Sequence, residues 1–178
     1  MARMLLTLVL ALLPSGLLAG PTDPFVAIDP YPVALDAPLI DADGTRTTLG
    51  ALIGSEPAIV HVWASWCAPC RRELPELAAF MAAPAAADIA QATVIVSLDT
   101  AGSDRVFGFL RDDLGLADMP AWHAHRGTRR LSASLRLRGM PATYVLDANG
   151  NAVAFHAGPL DWRSSDTAEA MRARLQAR

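Results

Sequence analysis

The sequence predicts an α/β fold: a central mixed β-sheet flanked by helices, with a β-hairpin extension on its N-terminal side. Two strand-then-helix units carry that reading. The β-branched apolar run Ala58–Ala64 leads into a helical stripe at Leu74, Leu77 and Met81, and Ala92–Leu98 leads into another at Val106, Phe107, Leu110 and Leu114. Strand followed by helix, twice, calls for parallel pairing. The third observation is Asn149-Gly150 between the apolar segments Ala142–Leu146 and Ala152–Ala157, a hairpin turn that adds an antiparallel pair.

In chain order, Met1 to Gly20 carries one charge, Arg3, and then an uncharged leucine-rich run, which reads as an export signal that is either cleaved or kept as an uncleaved N-terminal membrane anchor. Pro14, Gly16 and Pro21 interrupt any helix that would cross about 30 Å of hydrocarbon. Leu17-Leu18-Ala19-Gly20 is followed by Pro21 where a lipidated cysteine would stand, so no lipid anchor is expected. Residues 21–32 hold four prolines without periodicity and form a Pro-rich arm ahead of the domain at 33–178. The hairpin pairs Leu35–Ile40 with Thr45–Leu49 around Asp41-Ala42-Asp43-Gly44.

Ala58–Ala64 has the length and apolarity of a central buried strand, and Pro75 marks a kink in the helix behind it. Ala82–Ala92 reads as a helix end and a loop around Pro84, and Ser103 or Asp104 caps the next helix. Pro120–Ala124 is a short strand and Thr128–Leu135 a short helix. Asp166-Thr167-Ala168-Glu169 opens the last helix as a capping box, with Met171 and Leu175 turned inward.

Composition excludes several functions. The 178 residues include 18 Asp and Glu against 15 Arg and no lysine, which offers no broad electrostatic footprint for nucleic acid. Two cysteines neither build a disulfide framework nor supply a four-cysteine zinc site. They matter as a pair. Trp66-Cys67-Ala68-Pro69-Cys70 falls at the strand–helix junction, so Cys67 meets the unpaired N–H groups of a helix start, an environment that lowers a thiol's pKa from roughly 8.5 toward about 3.5–7.5. Cys67 is therefore the expected exposed nucleophile and Cys70, in the first helical turn, the buried resolving thiol. Pro69 supports helix initiation and stiffens the ring that the pair closes. His123 and His125 are expected as rim histidines and His156 as a strand-edge surface residue. No metal site and no cofactor is expected.

Leu39 to Leu175 resembles the TlpA-like branch of the thioredoxin superfamily, the ResA and DsbE type, and so implies a thioredoxin fold. The resemblance rests on Trp63-Ala64-Ser65-Trp66-Cys67-Ala68-Pro69-Cys70-Arg71-Arg72-Glu73-Leu74-Pro75, on Gly139-Met140-Pro141-Ala142-Thr143-Tyr144-Val145-Leu146-Asp147, and on Gly158–Trp162 as a closing strand. It implies a cis-proline at Pro141 beside the dithiol, with the backbone of Met140, together with Trp66, Ala68 and Pro69, meeting an extended partner segment. It makes Glu73 a proton relay for the buried cysteine. His61 stands where thioredoxins carry an aspartate and this branch often an asparagine, which makes it a second candidate relay.

The activity that follows is thiol–disulfide exchange in the periplasm, by a domain that is soluble or anchored to the inner membrane through residues 1–20. Membrane contact is expected only there. The resemblance implies that exported client proteins with cysteine pairs are reduced, cytochrome c or copper-oxidase assembly clients among them, with a membrane thiol carrier as electron donor. Ala142 replaces a glutamate common in cytochrome-maturation members and tilts the expectation toward copper assembly. The alternative is a module in which Cys67 and Cys70 bind Cu(I). Arg126, Arg129, Arg130, Arg136 and Arg138 crowd the approach to Pro141, either as a basic rim that steers an acidic partner or as a solvated face.

Overall fold

A computed structural model describes residues 23–177. The expected signal or anchor at 1–20 lies outside them. Eight strands form one sheet in the order β1-β8-β7-β4-β5-β6-β2-β3. They are β1 (Val26–Pro32), β2 (Pro38–Ile40), β3 (Arg46–Thr48), β4 (Ala58–Trp63), β5 (Thr93–Ser97), β6 (Ala121–His123), β7 (Ala142–Leu146) and β8 (Asn151–Ala157). The β4–β5 and β5–β6 pairs are parallel and the rest antiparallel, so the sheet is mixed.

All six residues of β4 are buried because helices cover both faces, as its unbroken apolar run requires. On one face pack α2 (Ala68–Ala82), α3 (Ala87–Gln91), α4 (Ser103–Gly108) and α6 (Ser165–Gln176), through Cys70, Leu74, Leu77, Ile89, Val106 and Met171. On the other lie α1 (Leu49–Ile53) and α5 (Thr128–Ser134), through Leu49, Ile53 and Leu131. Fully burying side chains of this size contributes about 1.5–3 kcal/mol each, which is what holds the helices on the sheet.

Several elements differ from the sequence expectation. Val26–Pro32, in the proline-rich arm, is an edge strand on β8; a bulge between Ala27 and Tyr31 lets Pro30 sit where no ladder N–H is needed. The Ala82–Ala92 stretch is not a loop: a 3₁₀ turn at Pro84–Ala86 runs into α3, since alanine is the best helix former and Pro84 suits a first turn. Thr48 caps the unforeseen helix α1 by accepting from the Ala51 N–H at 3.2 Å. The last helix is capped by Ser164, which accepts from Asp166 N, instead of by Asp166 itself. Gly158–Trp162 is a loop and not a closing strand, for a reason that lies in the site below.

Candidate functional site

The site begins where β4 ends. Ser65 N and Oγ donate to Asp99 at 2.9 and 2.7 Å, and Ser97 Oγ donates to the same carboxylate at 2.7 Å. Asp99 is itself buried, so these charge-assisted bonds fix the loop from Trp63 to Trp66 against the end of β5. Cys67 then occupies the N-cap of α2, where its Sγ accepts from Cys70 N at 3.3 Å. The helix start, with Pro69 in its first turn, aims unpaired N–H groups and the positive dipole end at that sulfur.

Cys67 and Cys70 form a disulfide with Cα atoms 5.3 Å apart. Cys70 is fully enclosed, and Cys67, expected to be exposed, keeps 5% of its surface. Two contacts account for that. The disulfide turns the Cys67 sulfur toward the helix, and the Met140 carbonyl oxygen lies 3.4 Å from it. Trp66 beside it is 66% exposed, and Ala68 is exposed as well. The Met140–Pro141 peptide is cis, and Gly158 N donates to Pro141 O at 2.9 Å. Gly158 has φ +98°, a conformation that suits glycine.

Beneath the disulfide, Cys70, Glu73, Leu74 and Leu77 make up the buried face of α2. Glu73 Oε2 accepts from Leu160 N at 3.1 Å and from Trp162 Nε1 at 3.3 Å. These two donors explain why Gly158–Trp162 leaves the sheet: the loop folds inward to serve a buried carboxylate. Glu73 Oε1 lies 3.2 Å from His61 Nε2, close in distance but outside hydrogen-bond angles. His61 Nδ1 pairs with Thr143 Oγ1 at 3.0 Å, since the β4–β7 register sets these two residues opposite each other. Trp162 meets the His61 ring edge-on at 5.4 Å. Thr143, Leu160 and Trp162 were not read as site residues from the sequence; a histidine opposite a threonine across a strand pair was the available signal for the first.

The remaining histidines stand apart from the disulfide. His123 is fully buried, not at the rim, because β6 lies inside the sheet between β5 and β2. Its ring pairs with Ser103 Oγ and Asp99 O, both at 3.0 Å. His125 is half-buried beside it, and half-buried His156 reaches Pro24 O at 2.9 Å. The five arginines separate as well. Arg130 pairs with Asp36 at 2.7 Å, whereas Arg136 and Arg138 line a groove of about 670 Å³ that includes Met140 and Pro141. Among the described residues no cluster of three or more His, Cys, Asp or Glu side chains could hold a metal.

Residues 26–171 match the family model described as Redoxin. The chain belongs to the redoxin family. This redoxin is 31% identical over 146 residues to the thiol:disulfide interchange protein HelX of Rhodobacter capsulatus, covering 80% of this chain and 70% of that one. It is 32% identical over 125 residues to the thiol:disulfide interchange protein DsbE of Pseudomonas aeruginosa, covering 68% of this chain and 61% of that one. Among solved structures, a protein assigned as a thiol:disulfide interchange protein DsbE from Chlorobium tepidum superposes with a TM-score of 0.59 at 25% identity, over 84% of this chain and 99% of that chain. A thioredoxin domain of a thiol-disulfide oxidoreductase from Bacteroides vulgatus gives 0.59 at 21%, over 84% and 100%, and supports the thioredoxin-like fold alone. No helix among the described residues is long and apolar enough to cross a membrane.

Proposed function

We propose that this redoxin is a thiol–disulfide oxidoreductase that reduces cysteine pairs of exported proteins in the periplasm, with Cys67 as nucleophile and Cys70 as resolving thiol. The observation that carries the reading is the Cys67–Cys70 disulfide at the start of α2, against the Met140 carbonyl of a cis peptide and above buried Glu73.

In the reduced protein the helix start stabilises the Cys67 thiolate, which attacks one sulfur of a client disulfide. The client S–S bond breaks, a Cys67–client bond forms, and the displaced client sulfur takes up a proton. Cys70 then gives its proton to the Glu73–His61 pair and attacks the Cys67 sulfur. The Cys67–client bond breaks, the Cys67–Cys70 disulfide forms, and the second client sulfur leaves and is protonated. Two electrons have passed to the client, and two more from a membrane thiol carrier reduce the Cys67–Cys70 disulfide again.

Either neutral tautomer of His61 is served by Thr143, whose hydroxyl both donates and accepts, so the histidine can exchange a proton with Glu73 at Nε2 without losing its Nδ1 partner. The client backbone pairs with Met140 as an added extended segment, flanked by Trp66, Ala68 and Pro69. Residues 1–20 serve as export signal or retained anchor. Copper-oxidase assembly proteins are favoured as clients over apocytochrome c because Ala142 follows the cis-proline. No observation favours the Cu(I) module, and a copper titration of the reduced protein tests it directly.

The reading is tested with reduced protein and a small disulfide such as hydroxyethyl disulfide. Stoichiometric reduction with formation of the Cys67–Cys70 disulfide is expected, and no reduction would refute it.

A further inference from the structure

The reading above leaves open which client segment reaches the dithiol, and the groove beside Met140 bears on that. Its floor is aromatic: Tyr31 and Tyr144 are buried, and Tyr144 stacks on Phe155 at 6.1 Å. Its rim is cationic. The Arg136 guanidinium sits 3.9 Å above the Tyr31 ring, a cation–π contact, and Arg138 has no ion pair among the described residues. Asp29 also lines the groove.

The backbone at Arg136 supplies a second, independent observation. Arg136 N donates to Ala133 O and Leu137 N to Ser132 O, the paired bonds of a Schellman turn that closes α5. That turn requires a left-handed residue and usually takes glycine, yet arginine occupies it with φ +51°. Glycine would hold the same turn without strain. What arginine adds is a guanidinium held over the groove, next to the cis peptide that touches Cys67.

We infer that the groove between β1 and the approach to Pro141 receives an extended client segment flanking the reactive cysteine, one that places an apolar side chain on the Tyr31–Tyr144–Phe155 floor and a carboxylate against Arg136 and Arg138. This rests on the oxidoreductase reading and specifies its substrate class. Two arginines against one aspartate set the sign of the preference, and a lysine-bearing segment would meet Asp29 alone.

The test uses the disulfide form of the protein and fluorescein-labelled octapeptides with serine in place of cysteine, so that binding is read without exchange chemistry. One peptide carries leucine and glutamate beside the serine and the other leucine and lysine. Fluorescence anisotropy is expected to give at least about tenfold tighter binding of the glutamate peptide, shrinking as salt is raised. In an Arg136→Gly/Arg138→Ala variant the ratio falls to about one, while Arg136→Gly alone shifts Tm little, relief of the left-handed position offsetting the lost contact with Tyr31. Equal binding of the two peptides, or a preference that survives the double variant, overturns the inference. A solution dimer that dissociates in the double variant would assign the groove to a second copy and overturn it too. Charge-selective binding in a protein that fails to reduce hydroxyethyl disulfide would leave the groove standing and remove the oxidoreductase reading, so the two fail separately.

Discussion

His61 Nε2 lies 3.2 Å from Glu73 Oε1, with both side chains sealed from solvent, one on β4 and the other on α2, whose N-terminal end carries the disulfide. The two residues expected from the sequence as competing proton relays therefore face each other, and the proposed mechanism uses them as one pair. Glu73→Gln should slow reduction of a model disulfide by about 10²-fold or more, the usual scale for a positioned acid or base. His61→Asn should slow it comparably, and the double variant should be no slower than the worse single. Stopped-flow turnover of the three variants between pH 5 and 8 gives the coupling, and additive losses would separate the residues.

Glu73 also has a structural role distinct from that one. Glu73→Ala leaves Leu160 N and Trp162 Nε1 buried without an acceptor, at about 1–3 kcal/mol for each orphaned donor, so urea unfolding should show a loss of several kcal/mol. Glu73→Gln keeps a carbonyl oxygen in place and should cost markedly less. Equal losses in the two variants would mean that the Gly158–Trp162 loop does not depend on the carboxyl group.

Asp99 holds the loop that leads to Cys67. It accepts Ser65 N and Oγ two residues before Cys67, so Asp99→Ala frees the loop that presents the sulfur. The variant should react with a small disulfide more slowly by about tenfold, a loss worth roughly 1.4 kcal/mol in the barrier. Asp99→Asn, which retains one acceptor, should recover part of the rate, and its alkylation profile against pH should shift less than that of Asp99→Ala.

Burial, with a smaller contribution from Tyr31, pushes the Tyr144 phenol up from its ordinary value of 10.0 to about 12. The folded protein therefore holds that proton over a range in which the unfolded chain has lost it. Stability is full below about pH 10 and falls as pH rises from there toward 12, by about 2 kcal/mol at most. Urea midpoints measured across this range should decline, and Tyr144→Phe should flatten the decline. An unchanged slope in Tyr144→Phe would assign the alkaline loss to other groups.

What the sequence disclosed and what it withheld follow from the range of each interaction. The core strands were legible because six buried residues in β4 must be apolar or β-branched, and His61 stood out as the exception among them. The β7–β8 hairpin was legible because Asn149-Gly150 encodes its turn locally. The strand Val26–Pro32 was hidden by its prolines, since its pairing partner β8 lies more than a hundred residues away and only that register makes the segment a strand. Gly158–Trp162 was expected as a strand only through the family resemblance, and nothing in its sequence announces that Leu160 and Trp162 turn to a carboxylate on α2. Glu73 was visible through its place after Cys70, but its partners are long-range contacts without a local pattern. His123 was misplaced for the same reason, as its burial depends on β2 joining the outer side of β6.

The chemistry between the cysteines sets the poise. Ala68 and Pro69 supply no side-chain donor to a Cys67 thiolate, so the reduced form is not strongly favoured and the protein should be a reductant. Equilibration with glutathione should place its potential toward thioredoxin's roughly −270 mV, and a value near about −120 mV, typical of strong oxidants, would exclude the reducing role.

The division of labour between the two sulfurs is tested most directly by trapping. Reduced Cys70→Ser and Cys67→Ser variants are each mixed with a peptide disulfide, quenched in acid and weighed intact by mass spectrometry. Cys70→Ser should accumulate the peptide adduct on Cys67, because the attacking sulfur is present and the sulfur that would release it is gone. Cys67→Ser should accumulate little, its remaining thiol being enclosed on the buried face of α2. Adduct formation on Cys70 at a comparable rate, or none on Cys67, would contradict the account.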